Sequence, residues 1–244
     1  MRLLLDAGNT RLKWRLERDG IIIEAGSSAL DLSPPLASIR DYLESVSRVG
    51  ISTVTREDIR LQLSSYLEQN TSGEVRFYWA EVERSGLKNS YTDAGTMGAD
   101  RWHGMYGAWK QGGGGFAVVD AGSAITVDYV NRAGQHLGGY ILPGLNMMLK
   151  SLKSDAARIA FESGEVLEVR PGTNTAEGVN QGLSWLLQAM TERIANDVSA
   201  LGLVRILVTG GDAGRLLALG MEGEHCPSLV LDGLGYIASE DSAK

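Results

Sequence analysis

Two stretches of this chain set a carboxylate, small residues and a hydroxyl between apolar runs. The first is LLLDAGNTRLKWRL, residues 3–16, and the second is FAVVDAGSAITVDYV, residues 116–130. Each reads as a strand, a tight turn and a second strand. Glycine lets the backbone approach a ligand closely, and successive turn N–H groups can point at an anion. The hydroxyls of Thr10, Ser123 and Thr126 and the amide of Asn9 would add hydrogen bonds to a phosphate. Asp6 and Asp120 offer carboxylates to a metal, directly or through water. Lys13 adds a positive charge suited to a phosphoryl group. Taken singly, either turn is also an ordinary hairpin built from turn-favouring Asp and Gly. Two near-matching turns, about half a chain apart, favour a clamp for one polyphosphate.

Other nucleotide signatures are absent. The chain has neither a Gly-x-x-x-x-Gly-Lys-Ser/Thr loop nor a Gly-x-Gly-x-x-Gly turn between strand and helix. A third glycine site, VTGGDAGRL at 208–216, reads as strand, turn and helix. Its Gly210 and Gly211 would let a flat base or ribose lie against the backbone. The alternative is a plain connecting loop with Asp212 near the cap.

The elements that must position these groups follow from hydrophobic period. Strands are expected at 2–6, around Leu12, Trp14 and Leu16, and at 20–25 after an Asp19-Gly20 turn. Ser33 and Pro34 mark a helix start, with Leu36, Ile39, Leu43 and Val46 at helical spacing. A strand at 49–54 leads to a helix capped by Thr55 with Asp58, and a strand at 75–80 follows. Residues 81–99 read as polar turns, 98–111 as a helix, and the glycine run at 112–115 as a break. The pattern then restarts. Strands are expected at 116–121, 124–130 and 136–142 and helices near 145–153 and at 176–200. A strand at 204–209, a helix at 212–220, a short strand at 228–231 and a terminal helix complete the chain. Two halves, 1–113 and 114–244, each open on a hairpin, as duplicated domains would.

Composition bounds the function. The 244 residues carry 23 basic and 30 acidic side chains, a net charge of −7, which disfavours a nucleic-acid or anionic-membrane partner. The single cysteine, Cys226, rules out an internal disulfide and fits a reducing compartment. No apolar run approaches the ~18 residues that span a bilayer, and Asp6 interrupts any leader-like stretch, so a cytoplasmic protein is expected. The histidines His103, His136 and His225 lack metal-ligand spacing. Trp102, Met105, Tyr106 and Trp109 read as a core or subunit-contact face.

Six motifs stand in a familiar order: DAGNT at 6–10 with Lys13, GADR at 98–101, DAGSAIT at 120–126, GGYILPGL at 138–145, NT at 174–175 and TGGDA at 209–213. In this the whole chain resembles type III pantothenate kinases, of the actin, sugar-kinase and chaperone ATPase superfamily. The resemblance implies an α/β fold of duplicated ribonuclease-H-like domains. Each would hold a mixed five-stranded sheet flanked by helices, with the active site in the cleft between them. It implies ATP-dependent phosphorylation of pantothenate to 4′-phosphopantothenate, the first step towards coenzyme A, with Mg²⁺ and a monovalent cation, K⁺ or NH₄⁺.

Residue roles follow by motif match. Asp6, Ala7, Gly8, Asn9, Thr10, Arg11, Leu12 and Lys13 correspond to the first phosphate loop, with Asp6 near Mg²⁺, directly or through water. Ser123, Gly210 and Gly211 correspond to further ATP contacts. Asp100, within Gly98-Ala99-Asp100-Arg101, corresponds to the catalytic base, and Arg101 would hold the substrate or Asp100 itself. Outside that context Asp100 and Arg101 read as a surface pair near a helix start. Tyr91 and Thr175 correspond to the pantothenate pocket, although Thr175 also reads as the cap of the 176–200 helix. Asp120 corresponds to the monovalent-cation site. The family commonly has threonine at Ser123, which keeps the hydroxyl, and a small or hydroxylated residue at Ile125. The 176–200 helix is apolar over a wide face, and a homodimer is implied. Two rivals remain at this point: a kinase of the same fold acting on another alcohol, and a nucleotide-sensing accessory protein in transcription.

Overall fold

The computed structural model describes residues 1–30, 36–155 and 167–243. The chain divides into two units. One comprises Met1–Gly112 with Ser228–Lys244, and the other comprises Gly113–Pro227.

In the first unit, β1 (Arg2–Ala7), β2 (Arg11–Arg18) and β3 (Ile21–Ala29) form an antiparallel meander. Asp19 and Gly20 both take positive φ, 51° and 80°, the two-residue turn whose twist suits a hairpin. A short α1 (Arg40–Leu43) leads to β4 (Arg48–Thr53), α2 (Glu57–Asn70) and β5 (Glu74–Tyr78). The small hairpin of β6 (Glu83–Arg84) and β7 (Leu87–Lys88) precedes α3 (Ala99–Gln111). The sheet order is β3-β2-β1-β4-β5, with β4 and β5 parallel to β1.

The second unit repeats this plan. β8 (Phe116–Ala121), β9 (Ala124–Val130) and β10 (His136–Pro143) form the meander. Then come α4 (Leu145–Asp155), α5 (Thr175–Ala200), β11 (Arg205–Thr209), α6 (Ala213–Ala218) and β12 (Glu224–His225). Its order, β10-β9-β8-β11-β12, places first, second, third, fourth and fifth strands as the first sheet does. The expected duplicated α/β plan with five-stranded mixed sheets is therefore present. α7 (Leu229–Ser242) ends the chain and belongs by its contacts to the first unit, although in sequence it follows the second.

Alternation along the strands sorts the side chains. Leu3, Leu5 and Ala7 pack with Val49 and Ile51 in one core, while Leu4 packs on the opposite face against Leu231, Leu234 and Ala238 of α7. In the second unit Ala117, Val119, Ala121, Ile125 and Val127 join Leu183 and Leu187 of α5.

Several local expectations are corrected. Residues 229–231 are not a strand but the first turn of α7, and the strand falls at 224–225. Leu229, Val230 and Leu231 are all buried, so an all-round apolar helix end had the look of a buried strand. Leu36, Ile39, Leu43 and Val46 are buried as their spacing implied. The α-helix nonetheless covers only Arg40–Leu43, because i→i+3 turns at Ser45 and Val46 unwind it into β4. The Ser33-Pro34 helix start lies outside the described residues. Thr55 does not cap α2: its hydroxyl is 2.9 Å from that of Thr53, and the cap position is Arg56. Thr175 does not cap α5. Asn174 does, its Oδ1 accepting from the Glu177 N–H at 3.0 Å, while Glu177 reaches back to Thr173. The polar 81–99 stretch contains the β6–β7 hairpin, whose Ser85-Gly86 turn has positive φ at both residues.

Candidate active site

The first loop leaves β1 at Ala7 and closes with Gly8 N–H donating to the Arg11 carbonyl at 3.0 Å. Asp6 is nearly buried and stands in register between Lys13 of β2 and Ser52 of β4. A carboxylate and an ammonium therefore occupy neighbouring places in one cross-strand row. The Ala7 carbonyl accepts from Val54 N–H and from the Thr53 hydroxyl, both at 3.3 Å, which holds the loop against β4. Asn9 and Thr10 are exposed at the tip. Leu12 is buried in the core, and Arg11 donates to Ser27 Oγ at 2.6 Å.

The same unit carries the GADR turn. Gly98 is the cap residue of α3, and a β-carbon there would crowd the Asp100 carboxylate. Asp100 lies in the first helical turn, where the positive end of the helix favours a negative charge. Its Oδ1 accepts the Arg101 N–H at 2.7 Å. Arg101 is buried and donates to the Tyr91 hydroxyl at 2.6 Å, with its guanidinium 5.5 Å from the centre of the Tyr91 ring. The structure thus brings together Tyr91 and Arg101, ten residues apart in sequence. Asn89, which sequence reasoning missed, makes this possible. Its Oδ1 accepts Tyr91 N–H at 2.9 Å and its Nδ2 donates to the Glu81 carbonyl at 3.2 Å. An Asn two residues before a Tyr in a polar loop is the turn signal that could have revealed it.

In the second unit Asp120 is partly exposed, in register between Thr126 of β9 and Thr209 of β11. All three lie off the face that carries Val119, Ile125 and Val208 into the core. Thr209 is buried and its hydroxyl has no partner among the described residues. Gly210 has φ +96°, and a β-carbon there would overlap the Ala121 carbonyl, so glycine is required. Asp212 N–H donates to that same carbonyl at 2.8 Å. Gly211 stands in open space. Ser123 is exposed, and its carbonyl accepts Gly144 N–H at 3.1 Å, which braces the loop from the GGYILPGL segment. Thr175 is exposed in the first turn of α5.

Among the described residues no three His, Cys, Asp or Glu side chains gather as metal ligands. Asp6 is a single hard carboxylate, a donor of the kind that binds Mg²⁺ together with phosphate oxygens and water. Asp120 with two neighbouring threonine hydroxyls is an all-oxygen set suited to a hard monovalent cation. Trp102, Met105 and Tyr106 are fully buried, which settles them as core.

His103 is fully buried on α3. Burial, with the Arg84 charge adding, pushes its pKa down to about 3. An unfolded imidazole titrates near ~6.5. Between these values the unfolded chain binds a proton that the native state refuses. The contribution is whole above ~6.5 and is lost as pH falls towards 3. Denaturant midpoints measured from pH 7 to pH 4 should fall less steeply in His103→Leu than in the parent chain; equal slopes would contradict this.

The profile of the type III pantothenate kinase family matches residues 2–197. The chain belongs to the type III pantothenate kinase family. A type III pantothenate kinase of Marinobacter nauticus is 53% identical over 239 residues, covering 98% of each chain. That of Hahella chejuensis is 33% identical, covering 96% of each. Among solved structures, one from Campylobacter jejuni assigned to the Baf family of transcriptional activators is 22% identical, covers 99% of this chain and 100% of its own, and has a TM-score of 0.62. The activator of 2-hydroxyisocaproyl-CoA dehydratase from Clostridium difficile, with bound ADPNP, is 15% identical, covers 99% and 96%, and has a TM-score of 0.53. Both likenesses are of fold. In this type III pantothenate kinase family member, five of the six motifs fall at turns or element ends, while GGYILPGL runs along β10 into the start of α4.

Proposed function

We infer that this chain is an ATP-dependent kinase that phosphorylates pantothenate to 4′-phosphopantothenate in coenzyme A biosynthesis, and we propose which residues perform it. Membership of the type III pantothenate kinase family carries the activity. The arrangement around Gly98-Ala99-Asp100-Arg101 supports the roles. Asp100 is the general base, accepting the proton of the primary hydroxyl as its oxygen attacks the γ-phosphorus of ATP. The hydroxyl oxygen forms the new P–O bond, the bond to the β-phosphate oxygen breaks, and ADP leaves. Arg101 and Tyr91, joined by a 2.6 Å hydrogen bond, hold the acceptor, with the guanidinium matched to its carboxylate. Thr175 adds a hydroxyl to that pocket. Gly8 and the loop from Asp6 to Lys13 take the phosphates, with Lys13 supplying positive charge. Ser123, Gly210 and Gly211 are further ATP contacts. Asp6 would hold Mg²⁺, which when bound neutralises phosphate charge, and Asp120 with Thr126 and Thr209 would hold K⁺ or NH₄⁺. We propose a homodimer, with Trp185 and Leu186 of α5, 61% and 46% exposed, among the residues available to cover.

The test is ADP release by the purified chain with ATP and Mg²⁺, with and without pantothenate, in K⁺, NH₄⁺ or Na⁺. Pantothenate-dependent release, stimulated by K⁺ or NH₄⁺ but not Na⁺, and loss of that stimulation in Asp120→Asn, is the expected result. Release that ignores pantothenate would overturn the acceptor. Indifference to the cation would remove the role given to Asp120.

A further inference from the structure

His103 is among the buried polar groups of the first unit to which the proposed roles assign nothing. His103 stands on α3 three residues after Asp100, a spacing that puts both side chains on one side of the helix. Its Nδ1 is 2.8 Å from Ser52 Oγ, and both residues are fully buried. Ser52 is the register partner of Asp6 across β1 and β4, and Asp6 is the register partner of Lys13. Asp6 and Ser52 lie on the sheet face opposite Leu5 and Ile51. The hydrogen bond therefore ties the helix that bears Asp100 to the strand beside Asp6.

A second observation points the same way. His103 Nε2 is buried and has no hydrogen-bond partner among the described residues. A buried polar atom without a partner destabilises a fold, and an apolar side chain of similar size would serve packing better. Ser52 is likewise a hydroxyl in a place where a small apolar residue would pack. Stability alone accounts for neither residue.

We propose that His103 is a positioning residue for the phosphoryl transfer: its hydrogen bond to Ser52 sets the placement of α3 along β4, and so of Asp100 relative to Asp6. The proposal rests on Asp100 being the base. His103 itself touches no substrate and stays neutral throughout.

The experiment compares His103→Leu, His103→Asn, Ser52→Ala, the His103→Leu/Ser52→Ala pair and Asp100→Asn in the full chain, with melting temperature, kcat and KM measured for each. His103→Leu should melt no lower than the parent, yet lose about tenfold or more in kcat, with both KM values within about twofold. His103→Asn, whose amide stands near the Nδ1 position, should recover most of that loss. Ser52→Ala should match His103→Leu, and the pair should be no worse than either. A His103→Leu enzyme with full kcat would overturn the proposal, as would losses that simply add in the pair. Should His103→Leu fail to fold, Ser52→Ala with His103→Asn decides: full kcat in Ser52→Ala overturns it. Full activity in Asp100→Asn would bring down the base reading itself. An inactive Asp100→Asn beside a fully active His103→Leu would bring down the positioning role alone.

Discussion

Asp100→Asn is expected to lower kcat by about 10²–10⁴-fold while ATP and pantothenate still bind. The amide has nearly the shape of the carboxylate, and its oxygen can still accept the Arg101 N–H that Asp100 accepts at 2.7 Å. The first turn of α3 and the Arg101–Tyr91 pair should therefore persist, leaving the acceptor pocket in place. What disappears is the site that takes the proton. A loss in kcat with unchanged KM separates this from a binding role. Calorimetric titration of each substrate into the variant checks the binding half. A variant that turns over at the parent rate would exclude Asp100 as base, and one that no longer binds pantothenate would make it a substrate contact.

The second large effect concerns stability. Gly233→Ala is expected to destabilise the first unit by about 3 kcal/mol or more, at the upper end for overpacking. α3 and α7 approach there backbone to backbone. A β-carbon on Gly233 would overlap the His103 carbonyl, and one on Gly107 would crowd the Leu229 carbonyl. Neither neighbour is a side chain that could turn aside. Polar contacts also hold α7: Arg15 pairs with Asp232, Arg84 with Glu240 and Asp241, and Lys110 with Glu240 at 3.0 Å. Shifting the helix would disturb all of them. Gly182→Ala is the control, since that glycine faces open space inside α5. It should be neutral or stabilise by up to ~1 kcal/mol. Equal denaturation midpoints for Gly233→Ala and the parent would contradict the close crossing.

Much of the fold was legible because its instructions are local. The hairpin at Asp19-Gly20 needs two residues with positive φ and alternating strands beside them, all within about fifteen residues. The two Asp-Ala-Gly turns, the glycine break at 112–115 and the GADR helix start were readable for the same reason. Boundaries at β8 and β9 agree with the sequence reading residue for residue. The two phosphate-loop candidates were legible as types and spacings, whereas Tyr91 and Arg101 were named only through the family resemblance; the two side chains meet at 2.6 Å.

What was not legible depends on partners distant in sequence. Whether 229–231 is strand or helix turns on burial, and that burial comes from Leu4 and α3, more than a hundred residues earlier. Thr55 fits a capping pattern until Thr53 takes its hydroxyl, and Thr175 until Asn174 stands one place ahead of it. Thr209 and the His103–Ser52 pair carry no local signal, because their meaning lies in which polar atoms burial has left them to face. Short-range geometry is written in the order of the residues. The satisfaction of buried polar groups is settled only when strands and helices from different parts of the chain close over them.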